Sequence, residues 1–252
     1  MGDVFLTSGQ YQTLLDGALL TVQILLYSFV LGVALSLIFG VARLSERRWV
    51  RGVALVFVEF ARGVSSIILL FVVAIALPIL LDVPQASLIM LATLALSINM
   101  GGYGAEIIRG GIQSVPGGQN EACISLNLSP MQRLRHVVLP QAMTVILPPM
   151  GNLTIEILKG TALVSLVGVT DIMQSAQNIR QGQFANAGES GAGSLPLLFL
   201  NVLVLYFILA QVVNALFKFA EWRVKKGLEG GPALTDEELP PSMRTANVGE
   251  TQ

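Results

Sequence analysis

Five stretches of this chain are apolar on every side rather than along one stripe. They run approximately from Gly17 to Ala42, Val53 to Leu81, Gln85 to Ile108, Val137 to Leu158 and Leu195 to Phe217. A helix needs ~20 apolar residues at ~1.5 Å rise to cross ~30 Å of hydrocarbon, and each stretch is long enough. Apolar character all round marks burial in lipid rather than in a soluble core. The fourth has an apolar continuation towards Val169. The pattern predicts an all-α integral membrane protein with five transmembrane helices.

Between the third and fourth stretches lies a polar interruption, Ile112–Pro140, IQSVPGGQNEACISLNLSPMQRLRHVVLP. Pro116 suits a helix start, and good helix formers dominate Gln119–Leu126. Asn127 is a turn residue. Ser129 can cap a second helix, with Pro130 at its first position. Met131–Leu139 follows, basic through Arg133, Arg135 and His136, and Pro140 marks the start of the fourth span. The expected product is helix, turn, helix, held under the membrane. It presents a compact surface to another protein, or lies as an ordinary amphipathic loop among lipid headgroups.

Basic residues orient the chain. Residues 1–16 hold no Lys or Arg, whereas Arg43, Arg47, Arg48 and Arg51 follow the first span. Arg109, Arg133 and Arg135 flank or occupy the polar loop, and Lys218, Arg223, Lys225 and Lys226 follow the fifth span. Only Lys159 and Arg180 fall on the other side. The N-terminus is therefore expected outside and the C-terminus in the cytoplasm, as an odd number of spans requires.

Three expected organisational units follow: a periplasmic segment 1–16, a membrane domain 17–227 with the loop 112–140, and a disordered cytoplasmic tail 228–252. The tail holds prolines and acidic residues with few large apolar groups. The outer connection from Gly160 to Ser194 reads as a re-entrant or interfacial segment, a short amphipathic helix, and then a flexible run, FANAGESGAGS.

Composition agrees with the membrane reading. The chain is 53% hydrophobic and 12% charged, with mean hydropathy +0.70. A soluble domain carries about twice that charge fraction. A net charge of −1 gives no reason to propose nucleic acid as a partner. The single cysteine, Cys123, excludes an internal disulfide. No basic region precedes the first span, so it is expected to remain in the mature protein.

Three pairs of opposite charge lie in or at the ends of spans at i, i+3: Glu59 with Arg62, Glu106 with Arg109, and Glu156 with Lys159. A charged side chain at the bilayer centre costs ~2.5–3.5 kcal/mol on insertion scales, so these groups should face protein or a water-filled cavity. They either neutralise each other within a helix or line a polar path for a zwitterion. Asn99, Tyr103, Asn152 and Thr154 are further polar groups that can face such a path or bond between helices.

Two other functions have sequence features to weigh. Gly188-Glu189-Ser190-Gly191 superficially matches the nucleophile motif of rhomboid proteases, but the only histidine, His136, falls on the opposite side of the membrane. A base must come within about 3 Å of its nucleophile. A stand-alone channel or secondary transporter fits the hydropathy, but has no use for a docking helix. No phosphate-cradling G-x-x-x-x-G-K-[ST] motif occurs, nor HExxH, a Cys/His cluster or Rossmann glycines, so no catalytic role and no metal site are expected.

The loop resembles the cytoplasmic coupling motif of ABC importer permeases, Glu-Ala-Ala, three residues, Gly, nine residues, then Ile-x-Leu-Pro. Here it reads Glu121-Ala122-Cys123, Asn127, Val137-Val138-Leu139-Pro140. Cys replaces the second Ala and Asn replaces Gly; both suit a helix–turn–helix, since Asn adopts positive φ. The resemblance covers roughly Thr13–Lys226 and is to the polar amino acid subfamily. It rests on GALLTVQI, EFARG at Glu59–Gly63, YGAEIIRGGIQSVPGGQNEA and LPQAMTVILPPMGNLTIEILKGTALVSLVGV. The subfamily's Arg-Gly-Thr-Pro is Arg62-Gly63-Val64-Ser65 here, a departure that falls on the translocation path the resemblance implies. NMGGYGAEIIRGGIQSVP and IEILKGTALVSL are most similar to ectoine and hydroxyectoine permeases.

The resemblance implies a type I ABC importer permease fold in a bacterial inner membrane. It also implies a second permease subunit, identical or homologous, two ATPase subunits that bind ATP and Mg in this chain's place, and an extracytoplasmic solute-binding protein. ATPase coupling would fall to Gln119, Glu121, Ala122, Cys123, Leu126, Asn127, Leu128, Leu139 and Pro140. The substrate pathway would draw on Glu59, Arg62, Asn99, Tyr103, Asn152, Thr154 and Glu156.

Overall fold

The computed structural model describes residues 6–83, 86–187 and 195–229. Ten α-helices are seen among them: α1 Ser8–Ala42, α2 Arg48–Gly63, α3 Ser66–Phe71, α4 Leu77–Leu80, α5 Leu88–Gln113, α6 Gly117–Ser125, α7 Pro130–Arg133, α8 Leu139–Gly160, α9 Ile172–Ala187 and α10 Leu195–Glu229. π-helical turns at Val72–Ala76 and Leu134–Val138 join α3 to α4 and α7 to α8, and a 3-10 segment, Thr161–Val167, follows α8. Among the described residues four helices are long and apolar enough to span a bilayer, and Arg48–Gly63 with Ser66–Leu80 passes the same test only as a bent pair, which makes four spans or five.

The first span starts earlier than its apolar run. Thr7 caps α1, accepting from Gln10 N while Gln10 Oε1 accepts from Thr7 N, so the helix begins at Ser8 rather than Gly17. Most of segment 1–16 is thus the head of α1. The helix packs along α5 through a stripe of small residues, including Ser28, Gly32, Ser36 and Gly40, while Gly17 and Thr21 meet the start of α9; all are buried. Small residues let backbones approach closely where lipid supplies no hydrophobic drive between helices. Hydroxyls exploit that approach: Ser28 donates to Thr93 O, Ser97 to Ser28 O and Ser36 to Met100 O.

The second span is not the continuous helix expected from Val53 to Leu81. It breaks after Gly63, and Ser66–Leu80 departs from Arg48–Gly63 by 104°. Val64 and Ser65 are extended. Glycine is a poor helix former, and the polar Ser65 begins the next helix. The carbonyls freed at the end of α2 are taken by α5: Asn99 Nδ2 donates to Ala61 O at 3.5 Å and Tyr103 Oη donates to Arg62 O at 3.3 Å. Without such partners a helix end in the membrane would be left unsatisfied.

Nor does Pro140 interrupt the chain at the fourth span. Helix runs through α7, the π turn and α8, with Leu139 N donating back to Leu134 O. The π turn's longer register absorbs the hydrogen bond that proline cannot make. The second helix of the polar loop is therefore the head of the span itself.

On the opposite side, α9 packs on α1 and α10. Asp171 is fully buried there, accepting from Gln174 N at 2.9 Å and from Tyr206 Oη at 3.2 Å. Thr21 Oγ1 accepts from Ile172 N at 3.3 Å. Helix α9 includes Phe184–Ala187, the start of the run expected to be flexible, and α10 continues through Leu228. Gln85, residues 188–194 with Ser190, and residues 230–252 of the expected tail lie outside the described residues.

Candidate functional site

The polar loop is a locked helix–turn–helix. Asn127 adopts φ 55°, the left-handed conformation that asparagine tolerates. Around it, Asn127 N donates to Ile124 O at 2.9 Å and Leu128 N to Cys123 O at 3.0 Å. These two bonds form a Schellman closure of α6, satisfying its last carbonyls. Ser129 then caps α7: its Oγ accepts from Gln132 N while Gln132 Oε1 accepts from Ser129 N. Because α7 runs on into α8, the turn after α6 is joined directly to a membrane span.

Of the loop residues singled out, Gln119, Glu121, Ala122, Leu126 and Asn127 are exposed, whereas Cys123 is buried and Leu128 half-buried. Leu139 and Pro140 sit one helix onward, at the head of α8. Gln141 beside them donates to Gln119 Oε1 at 3.4 Å, tying α6 to the span. Ile124, Leu126 and Met131 stand 55%, 72% and 71% exposed. Apolar side chains exposed on an otherwise polar segment suit contact with another protein or with lipid headgroups.

The charged pairs divide. Glu106 Oε2 accepts from both Nε and Nη2 of Arg109, at 2.9 and 2.7 Å, and its other oxygen lies 2.9 Å from Arg43 Nη2. Arg43 closes α1, so this ion pair joins the ends of two spans. The sequence had placed Arg43 only as an orienting charge; its partner is remote in sequence and no local spacing reveals it. Glu59 and Arg62 are looser, at 3.9 Å, and more exposed. The Arg62 guanidinium lies 5.6 Å from the centre of the Tyr103 ring. Glu59, Arg62, Asn99 and Tyr103 thus cluster where α2 meets α5.

The third pair does not form. Glu156 and Lys159 are both exposed, and neither makes an ion pair among the described residues. With Asn152 they occupy positions i, i+4 and i+7 of α8, one face of the helix. Thr154 lies on the opposite side, buried and donating to Met150 O at 2.8 Å. The structure therefore brings Asn152 and Glu156 together on an open polar face of a span. Asn99, buried against Ala61 O, and Thr154 are kept off it.

Residues 32–226 match the profile of the family described as binding-protein-dependent transport system inner membrane component. The chain is 37% identical to a probable amino-acid ABC transporter permease protein, y4tF, of Sinorhizobium fredii, over 83% of this chain and 86% of that protein. It is 33% identical to the glutamine transport system permease protein GlnP of Escherichia coli K12, over 84% and 93%. Among solved structures it is similar to an amino acid ABC transporter crystallised with histidines, at TM-score 0.72 and 28% identity, covering 84% of this chain and 94% of that one. The MetNI methionine ABC transporter, in an inward-facing conformation, shares the fold at TM-score 0.68.

Proposed function

Because the chain belongs to the family of inner membrane components of binding-protein-dependent transport systems, we propose that it is the permease subunit of an ABC importer for a small zwitterionic solute. The solute is a polar amino acid or an ectoine-type compatible solute. The observation that carries this reading is the α6–α7 turn, closed by its own hydrogen bonds, exposing Glu121, Ile124 and Leu126, and continuous with a span. Such a segment transmits a push from a docked ATPase into the membrane. The ATPase binds ATP and Mg; this chain supplies the path.

In this reading the N-terminus faces outward and the C-terminus lies in the cytoplasm. The pairing of Glu106 with both Arg43 and Arg109 supports it by gathering two basic connections at one end. A second permease subunit covers the open face of α8. There Glu156 offers an anion to the solute's ammonium or amidinium group, Lys159 a cation to its carboxylate, and Asn152 a hydrogen bond. Glu59 and Arg62 provide a second, looser pair. Asn99, Tyr103 and Thr154 hold the helices that flank the path. ATP-driven closure of the ATPase dimer moves α6, the paired spans open outward, and the solute-binding protein delivers its cargo. Coupling of this kind is reciprocal for binding free energies.

The test is reconstitution in nanodiscs with the neighbouring ATPase, permease and binding-protein partners, read as ATP hydrolysis across amino acids and ectoines. One solute class should stimulate hydrolysis, and Glu121→Lys should reduce that stimulation while the subunit still inserts. Stimulated hydrolysis equal to wild type in Glu121→Lys would remove the docking role. Failure of the ATPase to co-purify, with no solute response, would leave a stand-alone channel.

A further inference from the structure

A cavity of about 430 Å³ opens at the end of the bundle where α1 turns into α2. That volume is within the ~300–1,000 Å³ typical of ligand sites. Its walls carry four guanidinium groups, Arg43, Arg48, Arg51 and Arg109, with Leu44 and Leu55 beside them. The coupling reading gives this cavity no role. Among the described residues Glu106 pairs with Arg43 and Arg109. Arg48 and Arg51 make no ion pair among the described residues. The buried Nη1 of Arg43 has no hydrogen-bond partner.

The cations also sit against the local field. Arg48 is the first residue of α2 and Arg51 lies in its first turn, with no acidic residue there and no side-chain cap on Arg47. The N-terminus of a 16-residue helix carries partial positive charge and free N–H groups, so arginines there are unfavourable unless an anion joins them. One anion would relieve the helix end and the arginines together. Guanidinium groups pair with phosphate in a bidentate manner. Leu44 and Leu55 give the same cavity an apolar wall, which suits a phosphate attached to an acyl glycerol.

We propose that this cavity binds the phosphodiester headgroup of an anionic phospholipid at the membrane surface. Basic pockets between spans are the usual form of such sites. The lipid then bridges α1, α2 and α5 at the foot of α5, the span that precedes α6. The site does not depend on which solute is carried, and the assay below does not depend on membrane sidedness.

The full-length chain, purified in detergent, is titrated with dioleoyl-phosphatidylglycerol, with dioleoyl-phosphatidylcholine and with inorganic phosphate, and bound species are counted by native mass spectrometry. Wild type is expected to retain one phosphatidylglycerol that phosphatidylcholine does not replace and millimolar phosphate does not displace. The double variant Arg48→Gln/Arg51→Gln should bind it about thirtyfold more weakly, the loss expected for two surface arginines. Arg47→Gln, at the same helix end but outside the cavity, should match wild type. Equal affinity of wild type for the two lipids overturns the proposal without recourse to any variant. So does undiminished phosphatidylglycerol binding in the double glutamine variant. Displacement by phosphate, with the same arginine dependence, makes the ligand a free anion and overturns the lipid assignment.

Discussion

Arg43 Nη2 lies 2.9 Å from Glu106 Oε1, locking the end of α1 to the middle of the last turns of α5. Glu106 also holds Arg109, so one carboxylate keeps two guanidinium groups together. All three side chains are mostly shielded, at 14%, 19% and 29% exposed for Arg43, Glu106 and Arg109.

Glu106→Gln should therefore cost more than loss of either arginine, because it leaves two cations facing each other. Breaking a buried pair costs ~3–5 kcal/mol, and partial exposure here reduces the expectation to about 2–3 kcal/mol. Heating the purified protein and following its monodisperse fraction by size exclusion measures this. A midpoint for Glu106→Gln at or above that of Arg43→Gln would show that Glu106 is not the hub.

Gly102 is a close-approach position between α5 and α2. A Cβ there would lie 2.6 Å from Ala61 Cβ, and Ala61 sits in the last turn of α2. Even Gly102→Ala must push the helices apart, and Gly102→Leu should destabilise by about 1–3 kcal/mol or more. It should also weaken the bonds from Asn99 and Tyr103 to the end of α2. Disulfide trapping between cysteines introduced on α2 and α5 would slow if the helices separate; unchanged trapping would contradict the packing.

Asn127 sets the hand of the turn after α6. At φ 55°, Asn127→Gly should preserve coupling, since glycine adopts this conformation freely. Asn127→Val places a β-branched residue where the left-handed conformation costs ~1–2 kcal/mol or more. Trypsin cleavage at Arg133 and Arg135 should accelerate in the valine variant and not in the glycine variant. Identical digestion of both would mean the turn does not depend on φ.

Asp171 should give the protein an acid-side stability slope. Burial pushes its carboxyl above the usual value of 3.8, although Gln174 N–H and Tyr206 Oη partly offset this. A raised folded-state pKa means the fold holds the proton more tightly than the unfolded chain does. The stabilisation is therefore complete below 3.8 and is lost as pH rises through the raised value. Asp171→Asn should flatten that part of the stability–pH curve, with Oδ1 still able to accept from Gln174. Parallel curves for variant and wild type across the acid range would show that another group titrates.

Much of this was legible from local pattern. Apolar runs mark spans because lipid tolerates no unpaired backbone. Ser129-Pro130 marks a helix start because the cap and the missing proline N–H both suit it, and Asn127 marks a turn because few residues tolerate positive φ. The candidate site was legible only in part. Asn152 and Glu156 emerge on one open face of α8, while Thr154, two residues from each, is turned inward by helical geometry. Glu156 and Lys159 have pairing spacing and do not pair, because spacing permits a contact without requiring it.

The helical class, the apolar membrane segments, the polar helix–turn–helix and the similarity to a transport family are all readable from the chain alone, since each depends on residues near in sequence or on total apolar length. Only the tertiary structure decided where the second span breaks and what completes it, which arginine holds Glu106, and which guanidinium groups share a cavity. Those outcomes depend on contacts between segments far apart in the chain. In lipid they are fixed by close small-residue packing and by the need to satisfy every polar group, neither of which leaves a local periodicity to read.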